Sequence, residues 1–276
     1  MKEFQHKVAV VTGAASGIGF AMADRFAGEG MRVVMADIEP EALSIAEESL
    51  RRKGAEVLAV QTDVTKPDQV EALASRTYEA FGATHVLCNN AGVEVIGATW
   101  EQTLDDWRWV MDVNLWGVIY GVHNWLPRML EQGDEAHIVN TASMAGLTTA
   151  PYMSIYDVTK FGVVALSESL EKELRIANSN VHVSVVCPGL INTNIMDSSR
   201  NRHADRTEKG SFGANAQRFR KGLTDSLATG WPPSRVADQV FEAIRDDRFY
   251  VIPAQEGFAD RIRERMEAIL ELKNPR

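Results

Sequence analysis

The sequence predicts an α/β fold of one domain, in which a doubly wound parallel sheet carries helices on both faces. Short apolar runs rich in Val alternate with helix-length amphipathic stretches along the chain. The short runs are apolar throughout rather than at every second position, which is typical of strands buried in a parallel sheet. The chain has 276 residues, close to the roughly 250–300 residues that one hydrophobic core can serve. Two half-size domains are the alternative to one domain over 1–276.

The elements follow one another as strand and helix from the N-terminus onward. The predicted strands are Lys7–Val11, Arg32–Ala36, Val57–Val60, His85–Cys88, His137–Thr141, Val181–Cys187 and a short Phe249–Ile252. The predicted helices are Gly17–Gly28, Glu41–Lys53, Pro67–Phe81, Leu104–Glu131 with a break near Asn114, Ser154–Ala177, Ser234–Arg245 and a last helix that ends at Leu272. Right-handed crossovers between such strands place a ligand beyond their carboxyl ends.

One long segment, Asn192 to Pro233, breaks this alternation. It is polar, weakly periodic and rich in Arg, Ser, Asn and Gly. A connection of this length inside a compact domain is usually functional or disordered. Because it follows the last central strand, we expect it to form a lid over a substrate. Its apolar side chains, which would face that substrate, are Ile195, Met196, Phe212, Phe219, Leu223, Leu227 and Trp231.

A glycine-rich turn, Thr12-Gly13-Ala14-Ala15-Ser16-Gly17-Ile18-Gly19, follows the first strand and begins the first helix. Glycines in this place let the backbone approach a pyrophosphate, and the N-terminus of the following helix favours its negative charge. We therefore predict a Rossmann-type dinucleotide site that includes Gly13, Ser16, Gly17, Ile18 and Gly19. The alternative is an ordinary turn between a strand and a helix.

Further polar residues follow the second, third and fourth strands. Asp37 ends the second strand, where dinucleotide folds hold the hydroxyls of the adenosine ribose. Asp63 and Val64 follow the third strand, and Asn89-Asn90-Ala91-Gly92 follows the fourth. We predict that Asp37, Asp63 and Val64, with the small and amide residues Asn90, Ala91 and Gly92, contact the cofactor. Each could instead be only a turn signal.

Tyr156 and Lys160 are four residues apart on one predicted helix and so share a face. A phenol with a pKa of about 10 is a poor acid or base at neutral pH, but a nearby ammonium favours the phenolate. We therefore expect Lys160, together with the positive nicotinamide ring of an oxidised cofactor, to lower the pKa of Tyr156. Ser143 lies just past the fifth strand, where its hydroxyl could hold a substrate oxygen beside the tyrosine.

These pieces, in this order, make the sequence similar to the short-chain dehydrogenase/reductase family over nearly its whole length. The matching positions are the Thr12–Gly19 turn, Asp63, Asn89–Gly92, Asn114, Ser143, Tyr156, Lys160, Pro188-Gly189 and Thr193. The resemblance implies that Tyr156 exchanges a proton with the substrate oxygen, that Ser143 orients the substrate, and that Lys160 assists Tyr156 and binds the nicotinamide ribose. It also implies that Asn114 holds a relay water.

The resemblance further implies a nicotinamide cofactor, with Pro188, Gly189, Ile191 and Thr193 around its nicotinamide end. We expect NAD rather than NADP, because Asp37 would repel a 2′-phosphate and the chain has Ser16 and Ile38 where NADP-binding members often have basic residues. One departure from the family is Thr84-His85, where an Asp is common. This leaves the adenine contacts open.

The expected reaction is the oxidation of a bulky, mainly apolar secondary alcohol to its ketone, as in aromatic, steroid-like or cyclic alcohols. The wall opposite the lid would come from Val93, Val95, Met144, Leu147 and Tyr152. Arg200, Arg202 and Arg206 are expected to be solvated, although one of them could anchor a substrate carboxylate. The alternatives are an NADP-dependent ketone reductase and a non-catalytic cofactor-binding scaffold. The scaffold is disfavoured because the serine, the tyrosine and the lysine are all present.

The composition narrows the remaining possibilities. A net charge of −9 argues against general binding to nucleic acid or to anionic membranes, both of which need a basic face. No run reaches the ~18 apolar residues of a membrane span, and the N-terminus does not resemble a signal peptide. Cys88 and Cys187 suggest no disulfide framework, which fits the cytoplasm. The histidines show no metal-ligand spacing, so no metal is expected.

We also expect a homotetramer, with a dimer as the alternative. Members of the family pair through two long helices, which here are about Asn114–Glu131 and Ser154–Ala177. The second carries an apolar stripe that includes Phe161, Val164 and Leu170, more than one face of a sheet needs.

Overall fold

The computed structural model describes residues 1–202, 212–253 and 255–275. Their strands form one fully parallel sheet in the order β3-β2-β1-β4-β5-β6-β7. The strands are β1 Val8–Thr12, β2 Arg32–Asp37, β3 Val57–Gln61, β4 Val86–Asn89, β5 Ala136–Thr141, β6 Val181–Val186 and β7 Tyr250–Val251. The predicted strands are thus confirmed, with ends displaced by at most one residue.

The helices lie in two layers, one on each face of the sheet. They are α1 Gly17–Gly28, α2 Pro40–Arg52, α3 Pro67–Phe81, α4 Leu104–Met111, α5 Gly117–Gln132, α6 Ser154–Ile176, α7 Ala214–Ala228, α8 Pro233–Asp246 and α9 Phe258–Leu270. Side chains of α1, α2 and α8 pack on one face, and those of α3 to α6 pack on the other. Alternate residues of β1 pack into the hydrophobic cores on the two faces of the sheet. Ala9 and Val11 face one core, and Val8 and Val10 face the other.

From β1 the chain builds the sheet outward to β3 on one side, and from β4 it builds outward to β7 on the other. The strand order therefore reverses between β1 and β4. The doubly wound, Rossmann-type sheet predicted from the sequence is therefore confirmed. Ligands of such sheets bind in the crevice at this reversal, outside the carboxyl ends of the strands. The turn after Thr12 and the residues after Asn89 both open into this crevice.

The stretch 192–233 differs from its prediction because it contains helical structure. A 3₁₀ segment, Ile195–Asn201, is followed after residues 203–211 by α7. Only Ala216 and Leu227 of α7 are buried, so the helix carries little of the apolar periodicity by which a sequence reveals a helix. Beyond the end of α7, Trp231 forms an isolated parallel bridge with Ile191, and the backbone N–H of Asn192 donates to the Trp231 carbonyl oxygen at 2.9 Å.

The predicted break near Asn114 is a widened turn rather than an interruption. Residues Asp112–Trp116 form a π-helical turn between α4 and α5, so the chain remains helical from Leu104 to Gln132. Such single π turns inside α-helices are frequent at functional sites, because the extra residue redirects side chains. Asn114 lies at the centre of this turn and is fully buried.

The apolar stripe proposed for subunit contact is only partly available. Val164 and Leu170 are buried within the chain, which corrects the prediction for these two residues. Phe161 is partly covered by the guanidinium of Arg265 from α9, 4.8 Å from its ring centre. The exposed apolar side chains in or beside α5 and α6 include Trp116, Leu130, Val158 and Ile176. None of the described helices is long and apolar enough to cross a bilayer.

Candidate active site

A cavity of about 710 Å³ lies beyond the carboxyl ends of the strands. Every residue predicted to contact the cofactor lines it. These are Gly13, Ser16, Gly17, Ile18, Gly19, Asp37, Asp63, Val64, Asn90, Ala91, Gly92, Tyr156, Lys160, Pro188, Gly189, Ile191 and Thr193. Ser143 also lines it, whereas Asn114 does not. The parallel strands thus bring together side chains that are up to 180 positions apart in the sequence.

The glycine-rich turn is too crowded for side chains at two of its positions. Gly13 has φ +64°, and a Cβ there would lie 2.9 Å from the Ala91 Cα. A Cβ on Gly19 would lie 2.0 Å from the Gly13 carbonyl oxygen. The turn therefore packs backbone against backbone, which leaves an uncovered cradle of N–H groups at the N-terminus of α1. This geometry fits the pyrophosphate of a dinucleotide.

Asp37 is buried at the end of β2 and holds the turn in place. Its Oδ2 accepts a hydrogen bond from the Ala15 N–H at 2.9 Å, and its Oδ1 accepts one from the Glu39 N–H at 3.1 Å. Burial raises the pKa of Asp37, although these two hydrogen bonds act to lower it. The carboxylate is thus oriented towards the cavity by backbone contacts that the sequence did not reveal.

Threonine and asparagine side chains join the ends of β1, β4 and β5. The Thr12 hydroxyl accepts from the N–H groups of Asn90 and Ala91 at 2.9 and 3.1 Å, and the Asn90 amide donates to the Thr12 carbonyl at 3.0 Å. The Thr141 hydroxyl donates to the Asn90 amide oxygen at 3.2 Å. Asn89, in contrast, points away from the cavity and donates to the Asn140 side chain at 2.9 Å.

Asp63 and His85 have different relations to the cavity. Asp63 lines it, and its Oδ1 accepts from the Thr65 N–H at 2.9 Å. His85 lies just before β4, at the amino-terminal ends of the strands and away from the cavity. Its Nδ1 accepts a hydrogen bond from the Val8 N–H at 3.1 Å. Burial lowers the pKa of His85 to about 4. His85 is therefore a neutral packing residue with no bearing on adenine contacts.

Ser143, Tyr156 and Lys160 meet at the other end of the cavity. The Lys160 ammonium lies 5.4 Å from the centre of the Tyr156 ring and donates to the Thr141 carbonyl at 2.9 Å. The Ser143 hydroxyl lowers the pKa of Tyr156, donates to the Pro188 carbonyl at 3.5 Å and accepts from the Ala145 N–H at 3.1 Å. Helix α6 positions the tyrosine and the lysine, and the turn after β5 positions the serine.

The pKa of Tyr156 lies above its ordinary value in the protein without cofactor. Burial raises it strongly, a negative charge on Glu94 raises it further, and the Ser143 hydroxyl lowers it. Burial also lowers the pKa of Lys160 to about 8. The predicted lowering of the tyrosine pKa combines Lys160 with the positive ring of an oxidised cofactor, so it stays a prediction. Without the cofactor, desolvation of the phenolate dominates.

Asn114 lies behind the cavity wall rather than in it. Its Oδ1 accepts from the Val93 N–H at 2.8 Å, and its Nδ2 donates to the Val93 carbonyl at 2.9 Å and to the Thr159 hydroxyl at 3.3 Å. The side-chain amide is thus fully engaged. It fixes the segment that follows Gly92 against α6.

The substrate end of the cavity is lined by both the lid and the loop after β5. From the lid come Ile195, Met196, Phe219, Leu223 and Leu227, and opposite them lie Val93, Met144 and Met153. The other residues predicted for the lid or the wall do not line it. Phe212 packs against Gly97, Trp231 lies against the guanidinium of Arg235, and Tyr152 contacts the ring of Phe219. Val95 and Leu147 pack against two different hydrophobic core clusters.

Two of the three arginines in the lid are paired rather than solvated. Arg200 binds the Glu39 carboxylate with its Nη2 2.8 Å from Oε1, and Asn201 donates to the same oxygen at 3.1 Å. Arg202 is buried in an ion pair with Asp106. The expectation of solvation is therefore wrong for both, while Arg206 falls outside the described residues.

Several lining residues were missed by the sequence analysis. Glu39 lies next to the ribose-binding position, and Phe258 and Arg261 reach the cavity from α9. Glu94 is a buried carboxyl in the wall. The only sequence signal for it was an acidic residue within the apolar run Val93–Ile96. Among the described residues, no cluster of three or more His, Cys, Asp or Glu side chains could hold a metal ion.

Comparison with known proteins agrees with this geometry. A family model described as short chain dehydrogenase matches residues 7–204. A CLA biosynthesis dehydrogenase/reductase of Lactiplantibacillus plantarum is 35% identical over 255 residues, which cover 91% of this chain and 89% of that protein. The 1-deoxy-11-beta-hydroxypentalenate dehydrogenase of Streptomyces exfoliatus is 38% identical over 249 residues, with coverages of 90% and 82%.

Solved structures of other dehydrogenases and reductases share this fold. A short-chain dehydrogenase/reductase from Burkholderia phymatum in complex with NAD superposes with a TM-score of 0.97 at 42% identity, covering 100% of this chain and 98% of that one. An actinorhodin polyketide ketoreductase with NADPH superposes with a TM-score of 0.77 at 31% identity, over 94% and 100% of the two chains. The chain belongs to the short-chain dehydrogenase/reductase family, and it is an oxidoreductase of secondary alcohols or ketones that uses a nicotinamide cofactor.

Proposed function

We propose that this enzyme oxidises a bulky, mainly apolar secondary alcohol to its ketone with NAD. The observation that carries the proposal is the arrangement of one cavity, with Ser143, Tyr156 and Lys160 at its apolar end and Asp37 at its polar end. The first three residues can handle the proton of an alcohol, and Asp37 can bind a ribose diol.

Tyr156 is the proposed acid/base. Its hydroxyl would take the proton of the alcohol while Ser143 donates a hydrogen bond to the same substrate oxygen. Lys160 would bind the nicotinamide ribose and stabilise the phenolate. The bound cofactor supplies the acceptor for the hydride and, in its oxidised form, a positive charge near the phenol.

For Asn114 we propose a positioning role. Because its side-chain amide is occupied by Val93 and Thr159, a relay water would have to bind at its main-chain carbonyl. The amide itself holds the wall of the cavity at a fixed distance from Lys160.

The preference for NAD rests on the charge around the ribose-binding position. Asp37 and Glu39 are both acidic and both line the cavity. A 2′-phosphate would be repelled by these carboxylates. Arg200 is the observation that favours an NADP-dependent ketone reductase as second candidate, because it is a cation on the same wall. Glu39 already holds that guanidinium with two hydrogen bonds, which favours NAD.

The substrate class is inferred from the shape and lining of the cavity. Aliphatic and aromatic side chains of the lid face Val93, Met144 and Met153 across it. Sites that are mostly apolar with few polar anchors bind bulky organic substrates. The similarity to a hydroxypentalenate dehydrogenase supports a cyclic alcohol in particular.

A substrate panel tests the proposal. Aryl, steroid-like and polycyclic secondary alcohols are compared with 2-propanol and with free sugars, each with NAD and with NADP, by the absorbance of the reduced nicotinamide. We expect the highest kcat/KM for a bulky alcohol with NAD. Higher values for 2-propanol or free sugars would reject the bulky apolar pocket, and a ratio that favours NADP would reject the cofactor assignment.

We further propose that the protein is a cytoplasmic homotetramer, with a dimer as the alternative. The exposed Trp116 and Val158 lie in or beside the helices through which members of the family pair. We expect small molecules to be the only ligands, with no nucleic acid or membrane bound. A catalytically silent scaffold would show no turnover with any alcohol of the panel.

A further inference from the structure

Glu94 is a buried carboxyl in the wall of the cavity, and the proposed mechanism does not use it. Its side chain is only 8% exposed, and it lines the same cavity as Tyr156. An apolar side chain would cost less free energy to bury there, since a buried carboxyl must be neutralised or paired. The flanking residues Val93 and Val95 are apolar.

The backbone of Glu94 is held from both sides. Its N–H donates to the Ser198 hydroxyl at 3.0 Å, and that hydroxyl donates to the Glu94 carbonyl at 3.2 Å. Ser198 belongs to the lid, so the lid is anchored on Glu94. The preceding residue, Val93, is held by Asn114. The position of the carboxyl is therefore fixed before any substrate binds.

The two oxygens of the carboxyl have different surroundings. Oε1 accepts a hydrogen bond from the Val95 N–H at 3.0 Å. Among the hydrogen bonds between described residues, the Glu94 carboxyl takes part in this one, through Oε1. A carboxyl that accepts through one oxygen and lines a cavity leaves the other oxygen for a ligand.

Burial favours the neutral form of the Glu94 carboxyl. Burial and the nearby charge of Asp157 raise its pKa well above the usual value, whereas the attraction of Lys160 and the hydrogen bond from Val95 lower it. In the neutral form, with Oε1 accepting from Val95, the proton lies on Oε2. The group then presents a hydrogen-bond donor to the cavity that Tyr156 also lines.

We propose that Glu94 is a specificity-determining residue whose Oε2 hydroxyl donates a hydrogen bond to a second oxygen of the substrate. The substrate would then be a secondary alcohol with an ether, hydroxyl or keto oxygen a few bonds from the carbinol, on an otherwise apolar frame. This inference rests on the proposed function, which it refines from a bulky apolar alcohol to an oxygen-bearing one.

Two alcohols of nearly equal shape test it, 2-methoxycyclohexanol and 2-ethylcyclohexanol, which differ by an oxygen in place of a methylene. The ratio of their kcat/KM values is measured for the wild type, for Glu94→Gln and for Glu94→Met. We expect the wild type to favour the methoxy alcohol by about tenfold, since a hydrogen bond of ordinary strength gives that ratio. Glu94→Gln retains a donor and should keep most of the preference, whereas Glu94→Met should bring the ratio close to one.

A purely structural role would change both rates together and leave the ratio as it is. A Glu94→Met ratio equal to that of the wild type, or a wild-type ratio near one, therefore overturns the role of Glu94 alone. No turnover of either alcohol, together with none in the wider panel, overturns the proposed function itself. An infrared difference spectrum of wild type minus Glu94→Gln gives an independent readout, in which a carboxylic-acid C=O band at neutral pH is expected. A carboxylate band in its place would contradict the donor.

Discussion

At the scale of single residues, burial shifts the pKa values of Tyr156 and Lys160 in opposite directions. It disfavours the charged form of each, so it raises the pKa of Tyr156 and lowers that of Lys160 to about 8. The site without cofactor therefore favours a neutral phenol. The proposed role of Tyr156 relies on the positive charge that an oxidised cofactor would bring, which would couple proton transfer to cofactor binding.

The lowered pKa of Lys160 predicts how stability depends on pH. In the unfolded chain the lysine keeps its proton up to 10.5, whereas in the folded, cofactor-free protein it loses that proton near 8. The unfolded state therefore binds more protons between these values, and the free energy of unfolding rises with pH across this interval. The rise should reach about 3 kcal/mol, at about 1.4 kcal/mol per pKa unit.

Urea unfolding of the wild type and of Lys160→Met between pH 7 and 10.5 checks this prediction. The buried thiols of Cys88 and Cys187, whose pKa values burial raises, act in the opposite direction. Cys88 does so equally in both proteins, whereas the charge of Lys160 lowers the pKa of Cys187. The difference between the two curves therefore reports on Lys160 together with its effect on Cys187. Parallel curves would contradict the buried ammonium.

Much of the site could be predicted at this scale, because it consists of residues whose types are read directly from the chain. Asp37, Ser143, Tyr156 and Lys160 line one cavity as expected. Glu94 could not be predicted, because its effect depends on the burial of one carboxyl between α6 and the lid. The pairing of Arg200 with Glu39, 161 residues away, depends likewise on how the lid folds.

At the scale of elements, the turn before α1 is the most tightly constrained. Gly19→Ala would place a Cβ 2.0 Å from the Gly13 carbonyl oxygen, so the backbone of the turn must move. We expect a loss of about 1–3 kcal/mol in the free energy of unfolding and at least about tenfold weaker NAD binding, because the N–H cradle is displaced. Calorimetry of NAD binding and urea unfolding measure both.

Gly28→Ala is the matched control for this change. It lies at the other end of the same helix, and a Cβ there meets nothing within 4 Å. Alanine also has a better helix propensity than glycine, by up to about 1 kcal/mol. Gly28→Ala should therefore leave NAD affinity unchanged and keep or raise stability. An equal loss of affinity in both variants would show that the crowding at Gly19 is not the cause.

The elements that sequence patterns located well are those with a strongly apolar face. Helices α1 and α3 have the predicted bounds, and each buries a stripe against the sheet. Helix α7 was missed because it buries only two residues. The π turn at Asp112–Trp116 was seen only as a disturbance near Asn114, because one extra residue in a helix leaves little trace in apolar periodicity.

At the scale of the whole molecule, we expect subunits to associate through the exposed apolar residues in or beside α5 and α6. Sedimentation of the wild type at micromolar concentration should give about four times the chain mass of 30.5 kDa. Trp116→Glu places a charge on this surface and should lower the mass. Ile45→Glu, on the exposed side of α2, is the control and should not. A monomeric wild type would contradict the assembly.

We propose that the enzyme oxidises an alcohol with Tyr156 as its acid/base, and the activity of Tyr156→Phe tests this most directly. The variant removes one hydroxyl and keeps the ring, so the cavity and its cofactor contacts should persist. With the best alcohol of the panel and saturating NAD, we expect the turnover number to fall by ~10²–10⁴-fold, while the Kd for NAD stays within about threefold of the wild-type value. Retention of more than about a tenth of the wild-type turnover, with cofactor binding intact, would contradict the assignment of Tyr156 as the acid/base.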